Sequence, residues 1–216
     1  MNIFRFLADM SHVLSILLLL QKIRSSNSVA GISFKTQALY ALVFVTRYLD
    51  VFIYFVSIYN TAMKILFLGT SFYTLHVMYK KRDSGTIAAN TIDTFRVEFL
   101  LIGSLALALI FPSERIYSVT NILWTFSLWL ESVAILPQLF MLQRTGQAES
   151  LTVHYIFALG LYRGFYVLNW IYRYYFDNWF SLTSFVTGII QTALYSDFFW
   201  VYYQKVLKGK KFELPQ

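Results

Sequence analysis

The sequence predicts an all-α membrane protein with seven transmembrane helices. The chain of 216 residues is 57% hydrophobic and only 13% charged, which is too apolar for a soluble domain of this size. Several segments approach the roughly 20 apolar residues that a helix needs to cross a bilayer. Aromatic residues make up 19% of the chain, as expected for belts at the membrane interfaces and for a lined cavity. The chain contains no cysteine, so disulfides and thiol chemistry are excluded.

Short loops separate the seven predicted spans, and the fourth span is the shortest. The apolar run at 13–20 follows Arg5, Asp9 and His12, and no small-residue cleavage site comes after it. The first span is therefore expected to be retained and not removed as a signal peptide. No linker divides the chain, so residues 1–203 are predicted to form one membrane domain and residues 204–216 a tail. The predicted spans cover residues 3–21, 34–57, 63–79, 97–111, 119–142, 151–174 and 182–203.

The distribution of basic residues predicts the orientation in the membrane. A net charge of +7 is compatible with nucleic-acid binding, but most of the excess lies in short loops beside spans, so no nucleic-acid partner is predicted. The positive-inside rule places the C-terminus and the loops after odd-numbered spans in the cytosol, and the N-terminus outside or in a lumen. The basic residues of that side are Lys22, Arg24, Lys35, Lys80, Lys81, Arg82, Arg144, Lys205, Lys208, Lys210 and Lys211.

An internal repeat predicts a paired architecture. Gln21 and Lys22 end span one as Gln143 and Arg144 end span five, and the span that follows each pair carries an arginine beside a tyrosine. Two parallel three-helix bundles joined by the fourth span would explain this repeat. Their symmetry axis would run along the membrane normal, as described for SWEET-type sugar transporters.

Span six, taken as a helix, carries a stripe of polar and aromatic residues on one face. Such side chains are costly in hydrocarbon and normally face a bundle interior or a wet cavity. Because the stripe contains no acidic residue, its ligand is expected to be an anion held by arginine forks and aromatic walls. The stripe consists of Tyr162, Tyr166, Asn169, Trp170 and Arg173, with Arg163 beside it.

Span one carries a second polar face. Arg5, Asp9 and His12 lie at i, i+4 and i+7, which is one side of a helix. A histidine at this depth is either hydrogen-bonded in the core or a proton switch, because imidazole titrates between neutral and mildly acidic pH. The spacing leaves both interpretations open.

Arg47 and Asp50 in span two also allow two interpretations. At i, i+3 the two side chains can neutralise each other on one helix. Alternatively, Arg47 reaches into the cavity for a carboxylate. The second interpretation is favoured because Arg163 and Arg173 are expected to add unpaired positive charge.

Span five contains a carboxylate at membrane depth. Glu131 must be protonated or partnered there, and the candidate partners are Arg47, Arg163 and Tyr162. Pro137 is predicted to kink this span toward its cytosolic end. Asp197 in span seven has a similar status, with a helix–helix tie as its simplest role.

The sequence shows no arrangement of catalytic residues. There is no Gly-rich phosphate loop, HExxH motif or serine elbow. His12, His76 and His154 lie on different segments without metal-ligand spacing. We therefore predict neither an enzyme nor a metal site.

The basic cluster after span seven also allows two interpretations. Lys205, Lys208, Lys210 and Lys211 would attract anionic membrane lipids by about 1 kcal/mol per charge. A lysine cluster near a C-terminus can also be bound by a cytosolic coat.

Six motifs along the chain are specific enough to indicate a family. They are residues 1–6 with Asp9, Ser11 and His12; residues 47–50; 93–95; 124–139; 169–174; and 205–211. At these positions the chain resembles the KDEL receptor family, whose members return escaped proteins to the endoplasmic reticulum. The resemblance covers essentially the whole chain and is greatest to the fungal members.

The resemblance implies a seven-span fold related to SWEET and PQ-loop transporters, in the endoplasmic reticulum and cis-Golgi. It also implies a lumenal cavity for a C-terminal tetrapeptide ending in Asp-Glu-Leu. By this analogy Arg47 and Tyr48 hold the terminal carboxylate, and Arg5 and Arg173 hold the acidic side chains. The other implied contacts are Tyr166, Asn169 and Trp170 in the wall, and Asp50 and Trp124 at the leading basic residue.

The resemblance also implies control by protons, with no other cofactor. His12 would be the sensor, protonated and binding in the acidic Golgi, neutral and releasing in the endoplasmic reticulum. Moving occupancy from mostly bound to mostly free needs about 5.5 kcal/mol, more than one histidine supplies. His12 would therefore act with Glu131, Tyr162 and Arg163. A shift of span seven, assisted by Asp197, would uncover the tail for the COPI coat, through Lys208, Lys210 and Lys211.

One position departs from the animal members of the family. They carry a glutamate three residues before the position of Trp124, and Asn121 stands there in this chain. The loss of that carboxylate predicts tighter binding of His-Asp-Glu-Leu than of Lys-Asp-Glu-Leu. The alternative function is a small-solute transporter on the same fold.

Overall fold

The computed structural model describes residues 2–52, 55–82, 93–113, 118–146 and 149–205. Within these residues the regular structure is entirely helical. Nine α-helices and one 3-10 helix are present there, in the order α1 (Ile3–Ser25), α2 (Phe34–Arg47), the 3-10 helix (Leu49–Phe52), α3 (Ile58–Arg82), α4 (Val97–Ile110), α5 (Val119–Val133), α6 (Leu136–Thr145), α7 (Ser150–Asp177), α8 (Leu182–Leu194) and α9 (Ser196–Lys205).

Within the described ranges, three helical segments are long and apolar enough to cross a membrane, and α4 is a shorter apolar helix. The long segments are α1, α5 with α6 (Val119–Thr145), and α7. Many large apolar side chains are exposed, including Ile58 and Phe99, as expected of a surface that faces lipid. The prediction of an all-α membrane protein is confirmed.

Side-chain caps fix several helix starts. Asn2 accepts a hydrogen bond from the backbone N–H of Arg5 at the start of α1. Ser33, Ser118 and Ser181 cap α2, α5 and α8 in the same way. Each cap satisfies an N–H group that the first turn leaves without a partner.

Two predicted spans differ from the structure. The span at 34–57 stops being α-helical at Arg47, and the chain continues through Tyr48 into the 3-10 helix. The apolar pattern of the sequence continues past Arg47. The side chains of Arg47 and Asp50, however, bond to residues of other helices, as described below, and not to each other. The span at 182–203 is broken at Tyr195 into α8 and α9.

The predicted kink at Pro137 is confirmed. Helix α5 ends at Val133 and α6 begins at Leu136, with Pro137 in the first turn of α6. Proline is tolerated there because the first turn needs no intrahelical N–H donor.

Helix packing brings α1, α2, α3, α5, α7 and α8 together. The most extensive contact is between α1 and α7, and α2 contacts both α3 and α5. Two glycines allow close approach of the last span to α7. A Cβ atom on Gly188 would collide with the ring of Trp170, and one on Gly160 would collide with the ring of Phe199.

A hydrogen-bond network around Gln138 joins α6 to α2 and to the segment before α2, at the end of the bundle where α1 finishes. The Gln138 side chain is fully buried. Its Oε1 accepts from the Ser33 N–H at 2.8 Å and its Nε2 donates to the Gly31 carbonyl at 2.9 Å. The Gln138 N–H donates to Thr36 Oγ1 at 3.0 Å. This network closes the bundle at that end.

Candidate functional site

A cavity of about 330 Å³ lies at the other end, where α1 begins. Helices α1, α2, α3, α5, α7 and α8 all contribute side chains to its wall. Twelve of the fourteen residues predicted for ligand binding and pH sensing line it: Arg5, His12, Arg47, Tyr48, Asp50, Trp124, Glu131, Tyr162, Arg163, Tyr166, Trp170 and Arg173.

The two other predicted residues are not part of the cavity lining. Asn169 is buried and its Oδ1 accepts a hydrogen bond from Asn2 Nδ2 at 2.8 Å, which ties α7 to the start of α1. Asn121 lies in the first turn of α5, where its backbone N–H bonds to the capping Ser118.

The residues predicted for transport lie elsewhere. Asp197 is exposed on α9, away from the cavity. Lys208, Lys210 and Lys211 lie outside the described residues.

Glu131 is the centre of the charged cluster in the cavity. Its Oε2 lies 2.5 Å from Arg47 Nη1 and 3.2 Å from Arg163 Nη1, and its Oε1 accepts from the Tyr162 hydroxyl. Arg47 also donates from Nε to Ser127 Oγ and from Nη2 to the Ser127 carbonyl, both at 3.0 Å. All three predicted partners of Glu131 are therefore confirmed.

The alternative pairing of Arg47 with Asp50 does not form in the described part of the chain. Asp50 instead pairs with Lys64 Nζ at 2.6 Å. Lys64 belongs to α3, and no spacing within one helix connects it to Asp50. Sequence reasoning therefore missed Lys64 as a residue of this site.

The expectation that Arg163 and Arg173 are unpaired is wrong. Arg163 shares Glu131, and Arg173 Nε lies 3.2 Å from Asp177 Oδ2 and its guanidinium 4.0 Å above the Trp179 ring. The stripe itself contains no acidic residue. Glu131 of α5 pairs with Arg163, and Asp177 in the last turn of α7 pairs with Arg173. Arg163 still retains two buried nitrogens, Nε and Nη2, without a hydrogen bond.

Arg5 differs from the other arginines of the cavity. Among the described residues its guanidinium has neither an ion pair nor a hydrogen bond, although it lines the cavity. The cavity wall contains five cationic side chains and three carboxylates, an excess of two positive charges. Such a wall favours an anionic ligand.

His12 lies among aromatic rings in the wall. Its ring stacks on Tyr162 and on Phe67, with centroid separations of 4.5 Å in both cases. The side chain is only 6% exposed. Because Tyr162 bonds to Glu131, His12 is one ring away from the charged cluster.

The fold and the cavity define a class of protein. An all-helical membrane bundle carries a buried hydrogen-bond network around Gln138 at one end and a cavity with excess guanidinium groups at the other. Among the described residues no cluster has the side chains of a metal site. These features are those of a multi-pass membrane protein with a cationic cavity suited to an anionic ligand.

Comparison with known proteins identifies the family. The family model described as ER lumen protein retaining receptor matches residues 28–173. The chain is 54% identical over 215 residues to the ER lumen protein-retaining receptor of Drosophila melanogaster and 53% identical over 215 residues to ER lumen protein-retaining receptor 2 of Homo sapiens. It is 53% identical over 220 residues to the ER lumen protein-retaining receptor of Kluyveromyces lactis, and all three matches cover 100% of both chains. This chain belongs to the ER lumen protein-retaining receptor family, whose members are receptors and not enzymes.

The family membership confirms the resemblance found in the sequence. Identity to the animal relatives is as high as identity to the yeast relative. These comparisons therefore do not single out the fungal members.

Proposed function

We propose that this chain binds the C-terminal retrieval signal of escaped lumenal proteins in the Golgi and returns them to the endoplasmic reticulum. The observation that carries this proposal is the cavity with its excess of two positive charges and with Arg5, which has no ion pair among the described residues. A peptide ending in Asp-Glu-Leu has two acidic side chains and a terminal carboxylate. The ligand therefore brings three negative charges to a cavity wall that has an excess of positive charge.

The membrane topology is part of the proposal. The seven spans are α1, α2 with the 3-10 helix, α3, α4, α5 with α6, α7, and α8 with α9. The N-terminus and the cavity face the lumen, and the end closed by Gln138 faces the cytosol. The alternation of basic loops supports this orientation, and two three-helix repeats joined by α4 account for the arrangement.

The proposed contacts exchange internal carboxylates for those of the ligand. Arg47 with Tyr48 takes the terminal carboxylate, and Arg5 and Arg173 take the acidic side chains. Arg173 Nε lies 3.2 Å from Asp177 Oδ2, so the ligand would replace one charge-assisted pair with another. Such an exchange keeps Arg173 paired with a carboxylate before and after binding.

The rest of the signal would contact the aromatic side of the cavity. Tyr166 and Trp170 form the wall, and Asp50 and Trp124 face the leading basic residue. Asn121 lies one turn before Trp124 on α5 and has no carboxylate, which supports a preference for His-Asp-Glu-Leu over Lys-Asp-Glu-Leu. Equal affinities of the two peptides in a direct titration would remove this preference.

Control by pH is assigned to His12. Glu131, Arg47 and Arg163 act on it electrostatically, and the rings of Phe67 and Tyr162 stack on it. A proton on His12 raises the excess of positive charge in the cavity from two to three. An acidic ligand is therefore bound more tightly at the lower pH of the Golgi, with Glu131, Tyr162 and Arg163 as the network that responds.

Transport by the coat would depend on the last span and the tail. Binding would shift α9, with Asp197 assisting, and uncover Lys208, Lys210 and Lys211 for COPI. Association of the purified full-length receptor with the coat, measured with and without peptide, tests this step. Equal association in both cases would contradict it.

The test of the whole proposal is a titration of the purified receptor with His-Asp-Glu-Leu at mildly acidic and at neutral pH. Tight binding is expected at acidic pH and weak binding at neutral pH. The matched control is the same peptide with an amidated C-terminus, which lacks one carboxylate and should bind far more weakly. Equal binding of both peptides would contradict recognition of the terminal carboxylate.

The alternative, a small-solute transporter, requires opening at the end closed by Gln138. The three hydrogen bonds of Gln138 there involve backbone groups of α6 and of the segment before α2. Flux of labelled solutes into proteoliposomes separates the two functions. A receptor is expected to give none.

A further inference from the structure

Asp9 is a carboxylate inside a cavity that is proposed to bind acidic peptides. The side chain is only 3% exposed and lines the cavity one helical turn after Arg5. A carboxylate at this position repels an anionic ligand, because like charges in a poorly hydrated site interact strongly. A role for Asp9 must therefore come from what its oxygens contact.

Two tyrosine hydroxyls occupy the two oxygens of Asp9. Tyr59 of α3 donates to Oδ2 at 2.7 Å, and Tyr166 of α7 donates to Oδ1 at 2.6 Å. A tyrosine hydroxyl has one proton to donate, and an ionised carboxylate can only accept. Each tyrosine hydroxyl therefore donates its only proton to Asp9 and has none left to donate to a ligand.

The first consequence concerns Arg5. An arginine and an aspartate at i, i+4 on one helix normally pair, yet no ion pair joins Arg5 to Asp9 in the described structure. The hydroxyls of Tyr59 and Tyr166 satisfy the carboxylate instead. This keeps the Arg5 guanidinium available to a carboxylate of the ligand.

The second consequence concerns Tyr166. Tyr166 lines the cavity, and with its proton directed at Asp9 its oxygen offers only lone pairs to a ligand. Its partner must then be an N–H group. In a peptide whose side chains are acidic, the backbone amides supply such donors between the carboxylates.

Resting on the proposed function, we propose that Asp9 is a positioning residue that makes Tyr166 an acceptor for a backbone N–H of the retrieval peptide and keeps Arg5 free. The Tyr166 oxygen accepts from a backbone N–H and the Arg5 guanidinium binds a carboxylate. Together they select a peptide in which amide donors and carboxylates alternate. A compound with the same carboxylates but without the matching N–H would be rejected.

The test is an ester scan of His-Asp-Glu-Leu, in which each peptide bond in turn is replaced by an ester, which removes one N–H. One ester analogue is expected to bind the full-length receptor about tenfold more weakly than the all-amide peptide, the value of one hydrogen bond. In Tyr166→Phe the all-amide peptide binds more weakly, and the same ester analogue loses nothing further. Equal ester penalties in both proteins at every position would overturn the proposal.

Asp9→Asn separates positioning from simple repulsion. An amide at residue 9 can donate as well as accept, so the proton of Tyr166 is no longer committed. The ester penalty is expected to shrink and the all-amide peptide to bind more weakly. If Asp9 acted only through its charge, Asp9→Asn would tighten binding of every analogue equally, and that result would overturn the proposal.

Tyr59→Phe is the matched control, because Tyr59 contacts the same carboxylate but is not part of the cavity lining. The ester penalty should persist in this variant, and its loss would overturn the assignment to Tyr166. Failure of the all-amide peptide to bind the unmodified receptor at acidic pH would instead reject the proposed function itself.

Discussion

The two ends of the bundle both bury polar side chains, but they satisfy them differently. At the closed end Gln138 has neutral partners on its side-chain oxygen, its side-chain nitrogen and its backbone N–H. At the cavity end Glu131 is shared by Arg47, Arg163 and Tyr162. The carboxylate of Glu131 can be replaced as a partner of the arginines by a carboxylate of a ligand, whereas the partners of Gln138 belong to the fold and the described structure places no comparable cavity beside them. The difference explains why only one end is suited to bind a ligand.

The largest effect is expected from removing the charge of Glu131. Glu131→Gln leaves Arg47 and Arg163 buried without a counter-ion, which should lower the free energy of unfolding by about 3–5 kcal/mol. Thermal unfolding of the purified protein measures it. Glu98→Gln is the control, since Glu98 is exposed on α4 and should change stability by less than about 0.5 kcal/mol. A Glu131→Gln variant as stable as the control would contradict the central role of this carboxylate.

A smaller loss of stability is expected at the closed end. Gln138→Leu leaves the Ser33 N–H and the Gly31 carbonyl without partners, which should cost about 2–3 kcal/mol. Peptide affinity in the folded fraction should not change, because this network does not touch the cavity. Gln143→Leu, at an exposed position of the same helix, is the control. A marked change in affinity would show that the two ends are coupled.

Arg5→Ala tests the opposite behaviour, a loss of binding without a loss of stability. Because Arg5 has no partner in the described structure, its removal should leave the melting temperature unchanged. Peptide binding should weaken by about 2 kcal/mol, or roughly 30-fold, the value of a charge-assisted hydrogen bond. Arg24→Ala, far along the same helix and bonded to Tyr73, should change neither quantity. Destabilisation by Arg5→Ala would mean that Arg5 serves the fold.

The smallest effect is expected from His12→Ala, seen in the pH dependence of affinity. Protonated His12 adds one positive charge to the cavity, so affinity for an acidic peptide is present at mildly acidic pH and is lost as the pH rises. Removing the imidazole should reduce this pH dependence by about tenfold in affinity, or ~1.4 kcal/mol. His154→Ala is the control, because His154 bonds to Tyr202 on α9 and does not line the cavity. An unchanged pH profile in His12→Ala would assign the sensor to another group.

Helical periodicity was sufficient to predict which residues share a face. The stripe on α7 and the face of Arg5, Asp9 and His12 on α1 are properties of single helices, and both faces contribute to the cavity wall. The break at Pro137 was also predictable, because proline restricts its own backbone.

Periodicity did not predict partners on different helices. The pairs Lys64–Asp50 and Arg163–Glu131 join segments far apart in sequence, so no spacing rule connects them. The end of α2 at Arg47 and the break at Tyr195 were missed for a related reason. The apolar pattern continues through both points, and neither carries a proline to interrupt it.

The break at Tyr195 has a mechanical consequence for the last span. Its two segments meet α7 at separate places: Gly188 of α8 accommodates Trp170, near the cavity, while Gly160 of α7 accommodates Tyr195 and Phe199. The His154–Tyr202 hydrogen bond at 2.9 Å fixes α9 to α7 at a third place. The halves of the last span are therefore anchored to α7 independently, so a substitution at Gly188 should disturb the packing of α8 and one at Gly160 that of α9.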